Sequence, residues 1–454
     1  MKMTWHSSAC VSFESERTKV LFDPWLESKA FLGSWSQWPP AENARQNILD
    51  TEFQYLVYTH FHSDHFDQKF LANYLKKMQL QNHTPTILIA ESSWVQLSRS
   101  IQNIAKDKAE IRVLESGQKF HLNANGFSLT LFCSDHCDPT ACGKSIPCFS
   151  SHPKFRAIDS VAILKDRHAT IANFNDAISS NLDLYLEKAR VNVDLVMGVF
   201  GAAGSFPQCQ IGLTQTQIEL AKNNFVENTL KRLSLVADRL RAKYIFPFAG
   251  QYILVGEKSN LNNNRAVISA TEAAVKLSAI TDKQVLTLQT NEHVEFNRGE
   301  ISFAGKQYEE PSISDQFSYL QKYNHKKYFY ERRDVDHINL NDLEKNLEIA
   351  SNKISKMPFK NLNYSISIRA TNSDFRWDLN FQENLKWGTQ LNALENYCEI
   401  YLDLRLLEGC VRKSNSYFGF TSMHWNQAHI GSHLQFKQNN YSAPAHYLLN
   451  FLHT

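Results

Sequence analysis

The chain has 454 residues, 43% of them hydrophobic and 12% aromatic, which is enough for sizeable cores and comfortable for two domains. Its 48 basic and 46 acidic residues leave a formal charge of +2 spread along the chain, so neither nucleic acid nor an anionic membrane is indicated as a partner. The N-terminus lacks the apolar core of a signal peptide and no apolar run reaches transmembrane length, so the expected location is cytoplasmic. In that setting the eight cysteines read as thiols or ligands before disulfides.

In chain order, residues 9–13 and 19–22 read as two strands joined by a turn at 14–17. The second ends at Asp23-Pro24-Trp25, where proline stops it. The stretch 26–50, with Phe31, Trp35 and Trp38 among Gly, Ser and Pro, reads as a loop that covers a site or packs on the core. The apolar run Tyr55-Leu56-Val57-Tyr58 then leads into Thr59-His60-Phe61-His62-Ser63-Asp64-His65-Phe66-Asp67. On an extended segment alternate side chains point the same way, so His60 and His62 share a face, while Asp64 and His65 lie in the following turn. Two imidazoles on one centre and a carboxylate with an imidazole on another outline a binuclear metal site.

Downstream, 68–78 has helical spacing, 86–90 reads as a strand, 94–105 as a helix and 111–114 as a strand. A stronger strand at 127–133 runs into Ser134-Asp135-His136, and further strands at 161–164 and 169–174 precede Asn175-Asp176. Such alternation of helices and strands implies an α/β layered architecture. The glycine-rich turn 199–207, including Gly204, has backbone amides able to face an anionic substrate group, with a tight structural turn as the plainer reading. A long amphipathic helix spans 216–242. Cys133, Cys137, Cys142 and Cys148 fit no tight cluster spacing, and Cys137 and Cys142 read as pocket residues instead. Past residue 295 the composition shifts toward charge and Asn, with a helix at 340–356, strands at 364–368 and 397–402, and a helical end at 441–452. The basic and aromatic run at 322–333 reads as a solvated face, with a phosphate contact as the alternative. The expected division is therefore 1–295 and 296–454, the second part being α+β.

The spacing His-x-His-x-Asp-His resembles the signature of the metallo-β-lactamase superfamily, and the match covers about the first 250 to 290 residues. The resemblance implies an αββα sandwich holding two divalent ions, zinc, manganese or iron. It places His60, His62 and His136 on the first metal, Asp64 and His65 on the second, and Asp176 between them, with Asp64 or Asp176 orienting the attacking water. The family's late His is missing from the corresponding Pro247-Phe248-Ala249-Gly250-Gln251, so Gln251, water or another His is expected there. His6-Ser7-Ser8 resembles the opening of the ascorbate-phosphate lactonase branch, which makes His6 a candidate for contact with a metal ligand or the substrate, with a plain surface His as the alternative. Asp135-His136-Cys137-Asp138-Pro139, Gly201-Ala202-Ala203-Gly204-Ser205-Phe206-Pro207 and Trp425-Asn426-Gln427-Ala428-His429-Ile430-Gly431-Ser432-His433-Leu434 resemble the metallo-β-lactamase portion of CMP-N-acetylneuraminate hydroxylases. That family also carries a Rieske module, built on paired Cys-x-His and Cys-x-x-His segments. No such pair occurs here, so no Rieske cluster is expected.

The resulting expectation is a metal-dependent hydrolase that attacks a phosphoester, lactone or amide of an anionic small molecule with metal-activated water. The alternative is a di-iron oxygenase acting on a nucleotide sugar or similar metabolite with a separate electron donor, and the third is a binding protein on a retained fold. The C-terminal region is expected either to cover the metal cleft and set substrate choice or to make a homo-oligomer contact.

Overall fold

The structure is a computed structural model, and it describes residues 1–91, 96–133, 159–179, 182–303, 308–357, 361–412, 423–440 and 442–454. Two sheets lie face to face. The first has eight strands in the order Glu300–Phe303, His293–Asn297, Lys2–Ser7, Cys10–Ser15, Thr18–Phe22, Tyr55–Tyr58, Thr86–Ala90 and Glu110–Leu114. It is antiparallel as far as Thr18–Phe22 and parallel from there to Glu110–Leu114. The second has seven, in the order Gln284–Val285, Tyr244–Pro247, Leu195–Gly198, Thr170–Asn175, Ser160–Lys165, Ser128–Cys133 and Lys119–His121. Its first four strands run parallel and the rest antiparallel.

Strand composition accounts for the layering. Tyr55–Tyr58, Thr86–Ala90, Leu195–Gly198 and Tyr244–Pro247 are almost wholly apolar, as parallel strands covered on both faces must be. Val57 and Leu88 enter the core between the sheets, where they meet Leu131, Leu164, Leu195 and Met197 of the second sheet. Leu56, Tyr58, Ile87 and Ile89 face outward beneath Phe70, Leu71, Tyr74 and Met78 of the helix Gln68–Leu80. On the far side Val196 and Ile245 lie beneath Leu230, Leu233 and Leu277 of the helices Gln215–Arg239 and Ala270–Ser278. Helix, sheet, sheet and helix make the expected αββα sandwich. Truncating one aromatic of these interfaces, such as Phe70 to alanine, costs about 3–5 kcal/mol.

Local signals fix where the flanking helices begin. Asp67 accepts the Phe70 N–H at 3.1 Å and starts Gln68–Leu80 immediately after the histidine motif. Thr214 and Gln217 form a reciprocal capping box at the start of Gln215–Arg239.

The C-terminal region is α+β. Its five-stranded sheet runs Leu385–Gly388, Arg376–Phe381, Tyr364–Ala370, Asn396–Leu402 and Gln435–Gln438. The helix Leu340–Ser355 supplies Leu343, Leu347 and Ile354 to the same apolar core as Ile366, Ile368 and Leu379 of that sheet.

Several details depart from the sequence reading. A strand, Lys2–Ser7, precedes the hairpin and pairs with Cys10–Ser15 through a turn in which Ser8 has φ 46°. Residues 26–50 are not one loop: Trp35–Gln37 pairs with Tyr252–Leu254, and Glu42–Leu49 is a helix that buries Ala44 and Ile48. Helical spacing there was masked by the Gly, Ser and Pro that precede it. The strand His293–Asn297 straddles the expected boundary at 295, and the first sheet continues to Phe303. Among the described residues, no helix is long and apolar enough to cross a membrane.

Candidate metal centre

The histidine motif follows the strand Tyr55–Tyr58, at the end of the parallel half of the first sheet. Asp23 ends the neighbouring strand Thr18–Phe22, and Asn175 and Asp176 end Thr170–Asn175 in the opposing sheet. Strand ends from both sheets therefore converge on one point. Asp23 and Asn175 sit there at φ 42° and 49°, a left-handed conformation that aspartate and asparagine reach more readily than other residues with a side chain.

Asp23 is fully buried and organises the cluster. Its Oδ1 accepts the Thr59 N–H at 2.8 Å, and its Oδ2 accepts Thr59 Oγ1–H at 2.7 Å, Asn175 Nδ2–H at 2.6 Å and His65 Nδ1–H at 3.2 Å. Because Thr59 Oγ1 spends its proton on Asp23, it must accept at 3.1 Å from His60 Nδ1. Those partners place protons on Nδ1 of His60 and His65; His60 Nε2 is left bare, and His65 Nε2 is turned to the carboxylates of Asp64 and Asp176, where a metal would replace the proton they favour. The Oδ1 of Asn426, on the short helix Trp425–Ile430, accepts from His62 Nε2 at 3.1 Å, which leaves His62 Nδ1 bare as well.

Bare nitrogens and carboxylate oxygens then face one another. His60 Nε2 lies 3.0 Å from His62 Nδ1 and 3.7 Å from Asp159 Oδ1. His65 Nε2 lies 3.6 Å from both Asp64 Oδ2 and Asp176 Oδ2. Two sets, His60–His65–Asp176 and His60–His62–Asp159, each bring their ligand atoms within 4.8 Å of one another and share His60. Lone pairs at such separations repel unless a cation or proton lies between them. Ligands about 2.0–2.1 Å from a tetrahedral zinc are about 3.3 Å apart, which suits this spacing. Asp64 Oδ1 and Asp159 Oδ1 are buried with no hydrogen-bond partner among the described residues, a costly state for carboxylate oxygens that a cation would relieve. The residues present fit a bound divalent metal.

The electrostatics follow from burial and crowding. Burial pushes the Asp64 carboxyl up to about 7, with Asp176 adding to it against His65, and burial pushes Asp159 up to about 6. Burial, reinforced by His65 and His62, holds His60 well below the usual imidazole range. Burial also lowers His62, against the attraction of Asp159 and Asp176. For His65 burial acts in the same direction, but Asp64 and Asp176 outweigh it and the imidazole is raised. Asp176 is lowered, because His65 overcomes the burial that opposes its ionisation.

Of the residues singled out from the sequence, the structure gathers His60, His62, Asp64, His65 and Asp176, whereas His136, Cys137, Cys142 and Cys148 lie outside the described residues. Three others stand apart from both ligand sets. His6 uses both ring nitrogens, on Asn291 Oδ1 at 2.9 Å and Ser12 Oγ at 2.8 Å. Gln251 donates to Glu310 Oε1 at 3.3 Å. Gly204 lies in the glycine-rich turn and its carbonyl accepts from Gln208. Close packing accounts for two other glycines: a Cβ on Gly201 would lie 2.7 Å from the Gly250 carbonyl, and one on Gly250 would lie 2.7 Å from the Phe200 ring. Sequence reasoning missed Asp159, Asp23 and Asn426 as site residues. Asp159 stands alone before the strand Ser160–Lys165, and that strand end meets the motif through tertiary structure, Ser160 Oγ–H donating to the Thr59 carbonyl at 2.7 Å.

No family model matches the chain. Among curated proteins it is similar to the cytidine monophosphate-N-acetylneuraminic acid hydroxylase of Danio rerio, at 24% identity over 262 residues. The aligned stretch is 55% of this chain but only 38% of the relative's own length. Among solved structures it resembles an isothiocyanate hydrolase from Delia radicum gut bacteria, with a TM-score of 0.40 and 16% identity over 65% of this chain and 100% of that one. It also resembles unliganded yeast PDE1, with a TM-score of 0.37 and 10% identity over 64% of this chain and 98% of that one.

Proposed function

We propose that the chain is a metal-dependent hydrolase acting on an anionic small molecule, a phosphoester, lactone or amide. The observation that carries this reading is the convergence of the ring nitrogens of His60, His62 and His65 with the carboxylates of Asp159, Asp64 and Asp176. Divalent ions held by these residues would lower the pKa of bound water and polarise the bond under attack. The protein's own part is positional. Asp23 and Thr59 hold His60 and His65 in the tautomer that leaves Nε2 free, and Asn426 does the same for Nδ1 of His62. Asp64 Oδ1, buried and without a partner, is the group suited to accept a proton from the attacking water and to orient it.

An oxygenase is the second reading, favoured by the similarity to a protein named as a hydroxylase. Imidazole and carboxylate ligands suit iron as well as zinc or manganese, so the residues serve either chemistry. The test is to load chelator-stripped protein separately with zinc, manganese and iron(II) and to assay each form on phosphodiesters, lactones and amides, with oxygen uptake recorded in parallel. Hydrolysis that depends on metal, lost in His62→Ala and without oxygen uptake, supports the hydrolase. Metal-dependent oxygen uptake without hydrolysis would replace it with the oxygenase.

A further inference from the structure

The loop that carries the imidazoles has a second face. A cavity of about 600 Å³ opens on the side of the loop away from the metal ligands. Phe61 and Ser63 line it, whereas His60, His62, Asp64 and His65 do not. Its other wall comes from the segment after the helix Ile313–Gln321, which brings Tyr323, Lys326, Lys327 and Arg332 opposite Lys29. Lys326, Lys327 and Arg332, which read as part of a solvated basic face in the sequence, are exposed, and they also line one wall of this cavity.

The charges of that cavity are unbalanced. Among the carboxylates of the lining, Glu27 is bonded to Arg45 at 2.6 and 2.9 Å, and Asp67 is occupied by the backbone N–H groups of Glu27, Ser28 and Phe70. Glu42 remains at the edge. Against it stand Lys29, Lys326, Lys327 and Arg332, none in an ion pair with a carboxylate among the described residues. The half-buried Lys29 ammonium is bonded to hydroxyls and to no carboxylate among the described residues: Ser36 Oγ at 2.6 Å, Tyr319 OH at 3.1 Å and the Tyr323 hydroxyl, with the Tyr323 ring centre 4.6 Å away and Glu42 acting on it at longer range. An ammonium removed from water without a counter-ion is costly, and an anion beside it would recover that cost.

We infer that this cavity is a binding site for a small phosphate-bearing ligand, held by Lys29 with Lys326, Lys327 and Arg332. It is distinct from the metal centre and lies on the opposite face of the same loop. The inference does not depend on the proposed hydrolysis. A ligand seated there would touch Phe61 and Ser63, which alternate with the imidazoles, and Gln427, the neighbour of the residue bonded to His62.

The test is calorimetric titration of the full chain, stripped of metal, with inorganic pyrophosphate. Working without metal keeps failure of the metal reading separate from failure of this one. Wild type is expected to bind, with affinity falling as salt rises, and His62→Ala is expected to bind within twofold of wild type. Lys29→Met is expected to lose tenfold or more, and so is the double variant Lys326→Glu/Lys327→Glu, whose exposed positions leave folding intact. Absence of binding to wild type at millimolar pyrophosphate would overturn the inference. So would affinity unchanged in both the Lys29 and the double variants, or binding that His62→Ala abolishes.

Discussion

Replacing Asp23 with asparagine keeps the shape of a fully buried side chain and removes its charge. In the native protein its Oδ2 accepts three donors, from Thr59, Asn175 and His65, at 2.7, 2.6 and 3.2 Å. An amide cannot serve all three: with its NH₂ on that side it meets donors with donors, and the alternative flip turns the NH₂ on the Thr59 N–H. Hydrogen bonds to a buried charge contribute about 1.5–3 kcal/mol each and are not additive within one network. Breaking this one is expected to cost about 3–5 kcal/mol of folding stability, comparable to removing one partner of a buried ion pair. Losing the bond that holds His65 in its Nδ1–H tautomer should also weaken metal affinity by about 10–100-fold. The loss should fall more heavily on the His60–His65–Asp176 set than on the His60–His62–Asp159 set. Urea denaturation of the metal-free protein reads the first effect, and competition with a chromophoric chelator reads the second. A variant that binds metal within twofold of wild type would refute the positioning role of Asp23.

Three other outcomes follow from the same structure. Asp159→Ala should lower metal affinity at least tenfold yet leave the metal-free protein as stable as wild type or more so, because it removes a buried, unpartnered carboxylate oxygen; chelator competition and urea melts of one preparation check both signs. His433, bonded to Tyr330 OH and the Phe31 carbonyl, is pushed down to about 3 by burial. Its folded pKa lies below the unfolded value near 6.5, so it imposes no cost above that pH and destabilises as pH falls from 6.5 toward 3, by about 2 kcal/mol at pH 5. The stability of wild type relative to His433→Gln should therefore shrink by about that amount between pH 7.5 and pH 5, and a constant difference in urea melts would contradict the assignment. Asp183 is fully buried and held by Arg232 and Arg239 between the helices Leu182–Lys188 and Gln215–Arg239. Asp183→Ala should cost about 3–5 kcal/mol, and a loss below 1 kcal/mol in the same assay would show the pair to be dispensable.

How much of this was legible in the sequence depends on the range of the interactions concerned. The apolar runs 55–58 and 86–90 read as strands from composition, and the helix after the motif from the helical spacing over 68–78. His60, His62, Asp64 and His65 are adjacent in sequence and so read directly from spacing. Asp176 was found because it ends a strand at the place where the metallo-β-lactamase resemblance implies a shared carboxylate. Asp159 and Asn426 were not, since each reaches the imidazoles only through tertiary structure, from separate strand and helix ends. Asp23 was visible only as the acidic half of an Asp-Pro stop, with nothing local to show that three donors converge on it. The charged run 322–333 was legible as exposed, and Lys326, Lys327 and Arg332 are exposed; that they stand across a cavity from Lys29 depends on tertiary structure and has no local signal.

The most direct test of the metal centre is elemental analysis of protein purified without added metal, made side by side on wild type and His62→Ala at equal concentration. A centre built on the ring nitrogens of His60, His62 and His65 predicts bound zinc, manganese or iron in wild type and a clear drop in the variant. Metal content unchanged by His62→Ala, in a variant that folds as wild type does, would contradict it.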